Sequence, residues 1–396
     1  MLEGTRILFM LPSLALGGAE RQALVLARYL KDAQAANVQV WGFGDPGEAS
    51  SLCEEYNLPW RSVPIPPGGA RLQQLASILR FGKVLRAQRP AVLLPYAKWP
   101  NIWCGASRTM AGANLCIWGQ RNDPGSRKSP LLERFAARNT SLFVANSPHL
   151  RQVLRSFFHA PDDRIHIVPN GIELPASKWN AAKWREHLGV TANATLLCMV
   201  ANLTDQKDHV TLLHAWRDVQ SRLTSSGKEA KLLLAGSFGN THESLVRLAG
   251  ELNLGDTVCF LGQVKDISGL LSAVNIGLLS SRAEGSPNAV LECMEAGLPV
   301  AGTDVSGIRE ALGPDGCEFL APAGDSERLA DLLITLISNR DLVTRSGLAN
   351  RQRVEDEFSP ARMCDRMTTL IDQHLTSPRT SSRLRTADVH PQNARH

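Results

Sequence analysis

Glu284 and Glu292 stand eight positions apart in the stretch SSRAEGSPNAVLECMEA, downstream of an apolar run that ends at Leu279. Pro287 suits the first position of a helix, Ser286 suits a cap, and Gly297 suits a left-handed stop. Glu284 then falls in a strand-to-helix loop and Glu292 about 1.5 turns into the helix. The amides of Asn288, Ala289 and Val290 are expected to point out of the helix start. Free N–H groups and the helix dipole there hold an anion such as a diphosphate. Two carboxylates beside such a site would repel phosphate, so their use is to accept hydrogen bonds from hydroxyls, those of a ribose and a sugar. Either glutamate taken alone reads as a solvated side chain; the neighbourhood argues for chemistry.

Three further stretches carry candidate groups. VANLTDQKDHVTL, at 200–212, follows an apolar strand and offers Lys207 as a cation and Asn202 as a neutral donor. Near the N-terminus, Gly17 and Gly18 sit between a strand and a helix, where backbone can approach a ligand closely. Their spacing is not the GxGxxG of a dinucleotide fingerprint. CIWGQRNDPG places Gln120, Arg121 and Asn122 at another strand end, and Arg121 can hold a phosphate or polarise a hydroxyl but cannot act as a general base. No D-x-D pair occurs, so the spacing that commonly holds Mg²⁺ or Mn²⁺ against a diphosphate is absent from the sequence. No metal and no cofactor are expected.

These groups need a scaffold, and the hydrophobic pattern supplies one. Candidate strands at 6–11, 38–41, 91–94, 114–118, 141–145 and 165–168 alternate with helical patterns such as 20–31 and 72–88. The series repeats with strands at 195–200, 231–235, 257–261, 275–279 and 299–303. Continuous apolar strands separated by helices make parallel sheets covered on both faces. A length of 396 residues exceeds the roughly 250–300 at which single cores stop growing. The expected fold is therefore α/β, with two doubly wound Rossmann-like domains facing across a cleft, the ligand edge of each at the carboxyl ends of its strands. The seam lies near 169–178. The domains are expected at 1–172 and 173–356, with a helix at 357–375 and a disordered polar tail at 376–396.

The extended pattern EGSPNAVLECMEAGLPVAGTDVSGIRE resembles the E-x7-E signature of the retaining enzymes of glycosyltransferase family 4, which have the GT-B architecture. The resemblance covers roughly 6–370. It implies that Glu284 contacts the donor sugar, that Glu292 holds the ribose, and that Lys207 and Asn202 flank the diphosphate. It further implies that backbone at Val264 meets the nucleobase, that Gly17 and Gly18 face phosphate and acceptor, and that the last helix crosses back onto the N-domain. Two departures stand out. Asn202 replaces a usual arginine, and the strand end near Arg121 lacks the histidine many relatives carry. Proton removal is then left to the departing phosphate. The implied reaction moves a hexose or acetamido-hexose from a UDP- or GDP-sugar to a glycan or lipid-linked acceptor. The rivals are a nucleotide-sugar epimerase, a sugar phosphorylase and a non-catalytic nucleotide- or glycan-binding protein.

Bulk properties narrow the setting. A net charge of +5 is too small to argue for nucleic acid. Eight scattered cysteines without a CxxC pair read as reduced, buried thiols, which places the protein in the cytoplasm. The apolar run at 7–16 is better explained by a strand and glycine turn than by a secretory signal, because Pro12 interrupts it. Two N-domain stretches, RLQQLASILRFGKVLRAQR and SRKSPLLERFAAR, interleave basic and apolar residues, including Arg71, Lys83, Arg127, Lys128 and Arg134. Such faces suit peripheral contact with the inner face of the cell membrane.

Overall fold

The computed structural model describes residues 2–64, 71–121, 131–224 and 227–376. The first half folds around a parallel sheet of β1 (Arg6–Leu11), β2 (Asn37–Phe43), β3 (Trp60–Val63), β4 (Val92–Pro95), β5 (Leu115–Gln120), β6 (Leu142–Ala145) and β7 (Ile165–Ile167). Their order is β3-β2-β1-β4-β5-β6-β7. The second half repeats the scheme with β8 (Thr195–Val200), β9 (Ala230–Ala235), β10 (Val258–Gly262), β11 (Ile276–Leu279), β12 (Val300–Thr303) and β13 (Leu320–Ala321), in the order β10-β9-β8-β11-β12-β13. Both sheets are doubly wound α/β units, as expected.

In each sheet the order reverses once, between β1 and β4 and between β8 and β11. Loops leaving neighbouring strands at such a point turn to opposite faces and open a crevice. Gly17 and Gly18 follow β1, Lys207 follows β8, and Glu284 follows β11. The topology alone thus delivers the candidate groups to one edge of each sheet.

Burial explains which strands the hydrophobic pattern revealed. Every residue of β4, β5, β6 and β11 is buried, and apart from Gln120 at the end of β5 each is a continuous apolar run. β3, reading WRSV at the sheet edge, buries none of its residues fully, and β13 has only two residues. Neither produces a signal that hydrophobic patterning can find.

The chain crosses between halves twice, and the crossings touch. Gln22 brackets Gly171 with two hydrogen bonds of 2.8 Å, donating from Nε2 to the carbonyl and accepting from the amide at Oε1. Ile172 then donates its amide to the Phe358 carbonyl at 2.7 Å. The last helix is Pro360–Thr376, starting three residues later than expected because Glu357 ends the preceding helix, Arg340–Glu357. Met363, Cys364, Met367, Leu370 and Ile371 enter the first-half core beside Leu24 and Ala27 of the helix Gly18–Asp32. The tail at 377–396 lies outside the described residues, as do Asn122, Arg127, Lys128 and the side chains of Arg71 and Leu72.

Candidate functional site

A cleft of about 480 Å³ opens between the carboxyl edges of the two sheets. It is lined by every described site residue named from the sequence except Val290 and Gln120, the latter buried beside Trp118. The helix that carries Asn288, Ala289 and Val290 explains the first exception. It spans Asn288–Glu295, with Pro287 as its N-cap (φ −76°, ψ 108°) and no side-chain cap. Pro287 therefore sits one position earlier than expected, and Ser286 lines the cleft without capping. The Val290 amide bonds the Pro287 carbonyl at 3.1 Å, and its side chain is buried in the core. Val290 cannot present a free N–H to a ligand, whereas Asn288 and Ala289 remain on the cleft wall. Gly297 ends the helix at φ +74°, as its position suggests.

Glu284 and Lys207 come together. The Lys207 Nζ donates to Glu284 Oε1 at 2.5 Å, and Ser281 Oγ donates to the same oxygen at 2.6 Å. Ser281 is itself held by Thr303 of β12, whose hydroxyl accepts from its amide and donates to its carbonyl, both at 2.7 Å. The Glu284 side chain is only 8% exposed. The loop after β11 is thus fixed before any ligand arrives, and Lys207 is aimed by a carboxylate rather than swinging freely. Beside it, His209 is buried with neither ring nitrogen bonded; burial, reinforced by Lys207, pushes it down to about 4, so it is neutral near pH 7.

Glu292 meets a different environment. Burial pushes its carboxyl up to about 7, and Arg21 of the opposite half pulls it partway back. Asn202 accepts the Ser237 amide at Oδ1 (3.1 Å), which ties the loop after β8 to the loop after β9. It therefore braces the site as well as lining it. Val264 lines the same wall.

The first half contributes backbone and cations. Gly17 caps the helix Gly18–Asp32, and a Cβ on Gly18 would lie 2.8 Å from Asn288 Nδ2, so a side chain there would displace that amide. Arg121 lies over the Tyr96 ring at 4.6 Å and donates Nη1 to Asn170 Oδ1 at 3.0 Å. Asn170 in turn donates Nδ2 across the cleft to Asn288 Oδ1 at 2.7 Å. A second bridge joins the halves where the His149 amide donates to Glu310 Oε1 at 3.2 Å.

Arg21, Asn146 and Asn170 line the cleft but were not singled out in the sequence. Arg21 lies in GGAER and Asn170 in the PNG of the seam. The first reads as a glycine turn entering a helix and the second as a turn, and only the folded chain shows that they converge. Together the cleft offers Arg21, Arg121, Lys207 and a helix start to an anion, and Glu284 and Glu292 to hydroxyls.

Residues 16–175 match the family described as Glycosyltransferase Family 4, and residues 180–353 match Glycosyl transferases group 1. N-acetyl-alpha-D-glucosaminyl L-malate synthase of Bacillus anthracis is 26% identical over 263 residues, which cover 66% of this chain and 66% of that protein, just short of two thirds of its length. UDP-Gal:alpha-D-GlcNAc-diphosphoundecaprenol alpha-1,3-galactosyltransferase of Escherichia coli is 23% identical over 76% of this chain and 79% of its own. Among solved structures, Anabaena HepE in complex with UDP-glucose superposes with a TM-score of 0.79, covering 93% of this chain and 99% of that one at 21% identity.

Proposed function

Because the chain belongs to the family 4 glycosyltransferases and has their GT-B architecture, we propose that it moves a hexose or acetamido-hexose, with retention, from a UDP- or GDP-sugar to a glycan acceptor without a metal. The observation that carries this reading is an asymmetry of the cleft. Both carboxylates, Glu284 and Glu292, belong to the second half, and among the described residues the first-half lining of the cleft includes neither an acid nor a histidine.

Inverting transfer needs a base beside the acceptor hydroxyl, on the face opposite the leaving group. The described residues of the acceptor wall supply Arg21, Gln22, Arg121 and Asn146, whose side chains are hydrogen-bond donors or amides rather than general bases. With no base among the described residues of that wall, the proposed proton acceptor is the departing phosphate oxygen. Using it requires the acceptor to approach on the donor's own face, which retains the anomeric configuration. Lys207 and the amides of Asn288 and Ala289 stabilise the charge that builds on the diphosphate. Glu284 orients the sugar through its hydroxyls, and Glu292 takes the ribose. Closure of the cleft keeps water from the activated sugar.

The Escherichia coli relative, by its name, acts on a sugar carried by diphosphoundecaprenol, which supports a lipid-linked acceptor. The free cysteines, most of them buried, fit a reducing compartment such as the cytoplasm. The test is a product assay with a panel of α-linked nucleotide sugars, followed by NMR of the new linkage. An α-linked product formed undiminished in excess EDTA is expected. A β-linked product, or abolition by the chelator, overturns the mechanism.

A further inference from the structure

The helices Arg71–Gln88, Lys98–Ala111 and Leu131–Asn139 lie side by side on one face of the first sheet, the middle one packed against both others. They follow β3, β4 and β5 in a parallel sheet, so all three N-termini point to the cleft edge. Inward, Ile78, Phe81, Leu85, Ile102, Trp103 and Ala136 fill the core. Outward, the same helices expose Leu75, Leu79, Val84, Trp99, Leu131 and Phe135, with Leu131 71% and Trp99 55% accessible. The other large apolar residues exposed among the described ones, Val210, Phe238, Val246 and Leu348, come from separate elements of the second half.

The charge on this layer has one sign. Its helices carry Arg80, Lys83, Arg86, Lys98, Arg134 and Arg138, and their single acid, Glu133, is buried. A face that merely solubilised the fold would mix signs and shield its apolar groups. We propose that this three-helix layer docks on an anionic phospholipid bilayer. Trp99, Leu131 and Phe135, nearest the cleft edge, enter the interface, and the cations meet the headgroups. The sequence shows the basic–apolar pattern of the two outer helices. The structure adds that they flank Trp99 and share one edge. The inference does not depend on which reaction the cleft performs.

Sedimentation of the full chain with vesicles tests it. Vesicles of phosphatidylcholine containing phosphatidylglycerol are expected to bind at least tenfold more tightly than phosphatidylcholine alone, with binding lost in high salt. Arg134→Glu is expected to weaken binding about fivefold or more, and the pair Trp99→Ala with Phe135→Ser about tenfold. Leu348→Ser, on the other half, should change nothing. Melting temperatures should match the wild type, since these side chains are exposed. Equal binding to both vesicle types, no binding, or self-association that Phe135→Ser abolishes would each overturn the proposal.

Discussion

The two halves share a winding scheme and present the same sheet edge, yet they furnish the cleft in opposite ways. The second half offers Glu284 and Lys207, locked to each other and to Ser281, and Glu292 behind a helix start. The first half offers glycines, arginines and amides, with Asn170 reaching over to Asn288. One wall is rigidly preorganised around a charged pair; the other carries cations without an acid among its described residues, and reaches across through the amide of Asn170, itself held by Arg121. Preorganised charge lowers the cost of stabilising a transition state, so losses on the second wall should reach the chemical step, and losses on the first should reach acceptor binding and closure.

The largest expected effect is at Glu284. Glu284→Ala should lower the transfer rate by about 10³ or more, as for other preorganised transition-state groups, while nucleotide affinity changes about threefold at most. Lys207→Ala should also cost rate, but part of its loss should appear as weaker diphosphate binding. Equal rate losses for Glu284→Ala and Arg121→Ala would break the contrast between the walls. Calorimetry with the nucleotide, beside steady-state rates, distinguishes these outcomes.

A smaller effect, with a pH signature, belongs to Glu292. Its carboxyl is raised by burial to about 7, so the empty protein is most stable with it protonated and loses that contribution as pH rises through about 7. Hydroxyls of a ribose favour the ionised form, so nucleotide affinity should rise across pH 6 to 8, by up to about tenfold per unit below 7. Glu292→Gln should bind about tenfold more weakly at pH 8 and lose the part of the slope due to this carboxyl. The slope that remains belongs to the phosphate. An unchanged slope in Glu292→Gln would remove the glutamate from the nucleotide site.

How much of this was legible beforehand follows from what each feature depends on. Strands buried on both faces write themselves as apolar runs, which is why β8 was readable to its ends, whereas β3 and β13 were not. Glu284 and Lys207 were legible because each sits within a motif set by a strand end, although their direct pairing across 77 residues was not. The helix start was misjudged by one position at Pro287, since φ near −65° suits a cap and a first turn alike and only ψ decides. Arg21, Asn146 and Asn170 left no local signal, because their role arises from the approach of two halves that sequence spacing does not describe.

The subtlest expectation concerns that approach. Asn170 accepts from Arg121 and donates to Asn288 at 2.7 Å, so it is the point where the first-half wall is coupled to the helix start of the second-half wall. Asn170→Ala and Asn288→Ala each remove one side of the bond, and the double variant measures the bond itself. If the free protein holds the cleft as described, thermal unfolding of the four proteins should give a coupling of about 0.5–1.5 kcal/mol. Additive losses would mean that the halves stand apart in solution and meet only around a ligand. Repeating the cycle with nucleoside diphosphate then separates the cases. A coupling that appears only with nucleotide makes Asn170 a reporter of closure, and one present in both states makes it a permanent brace.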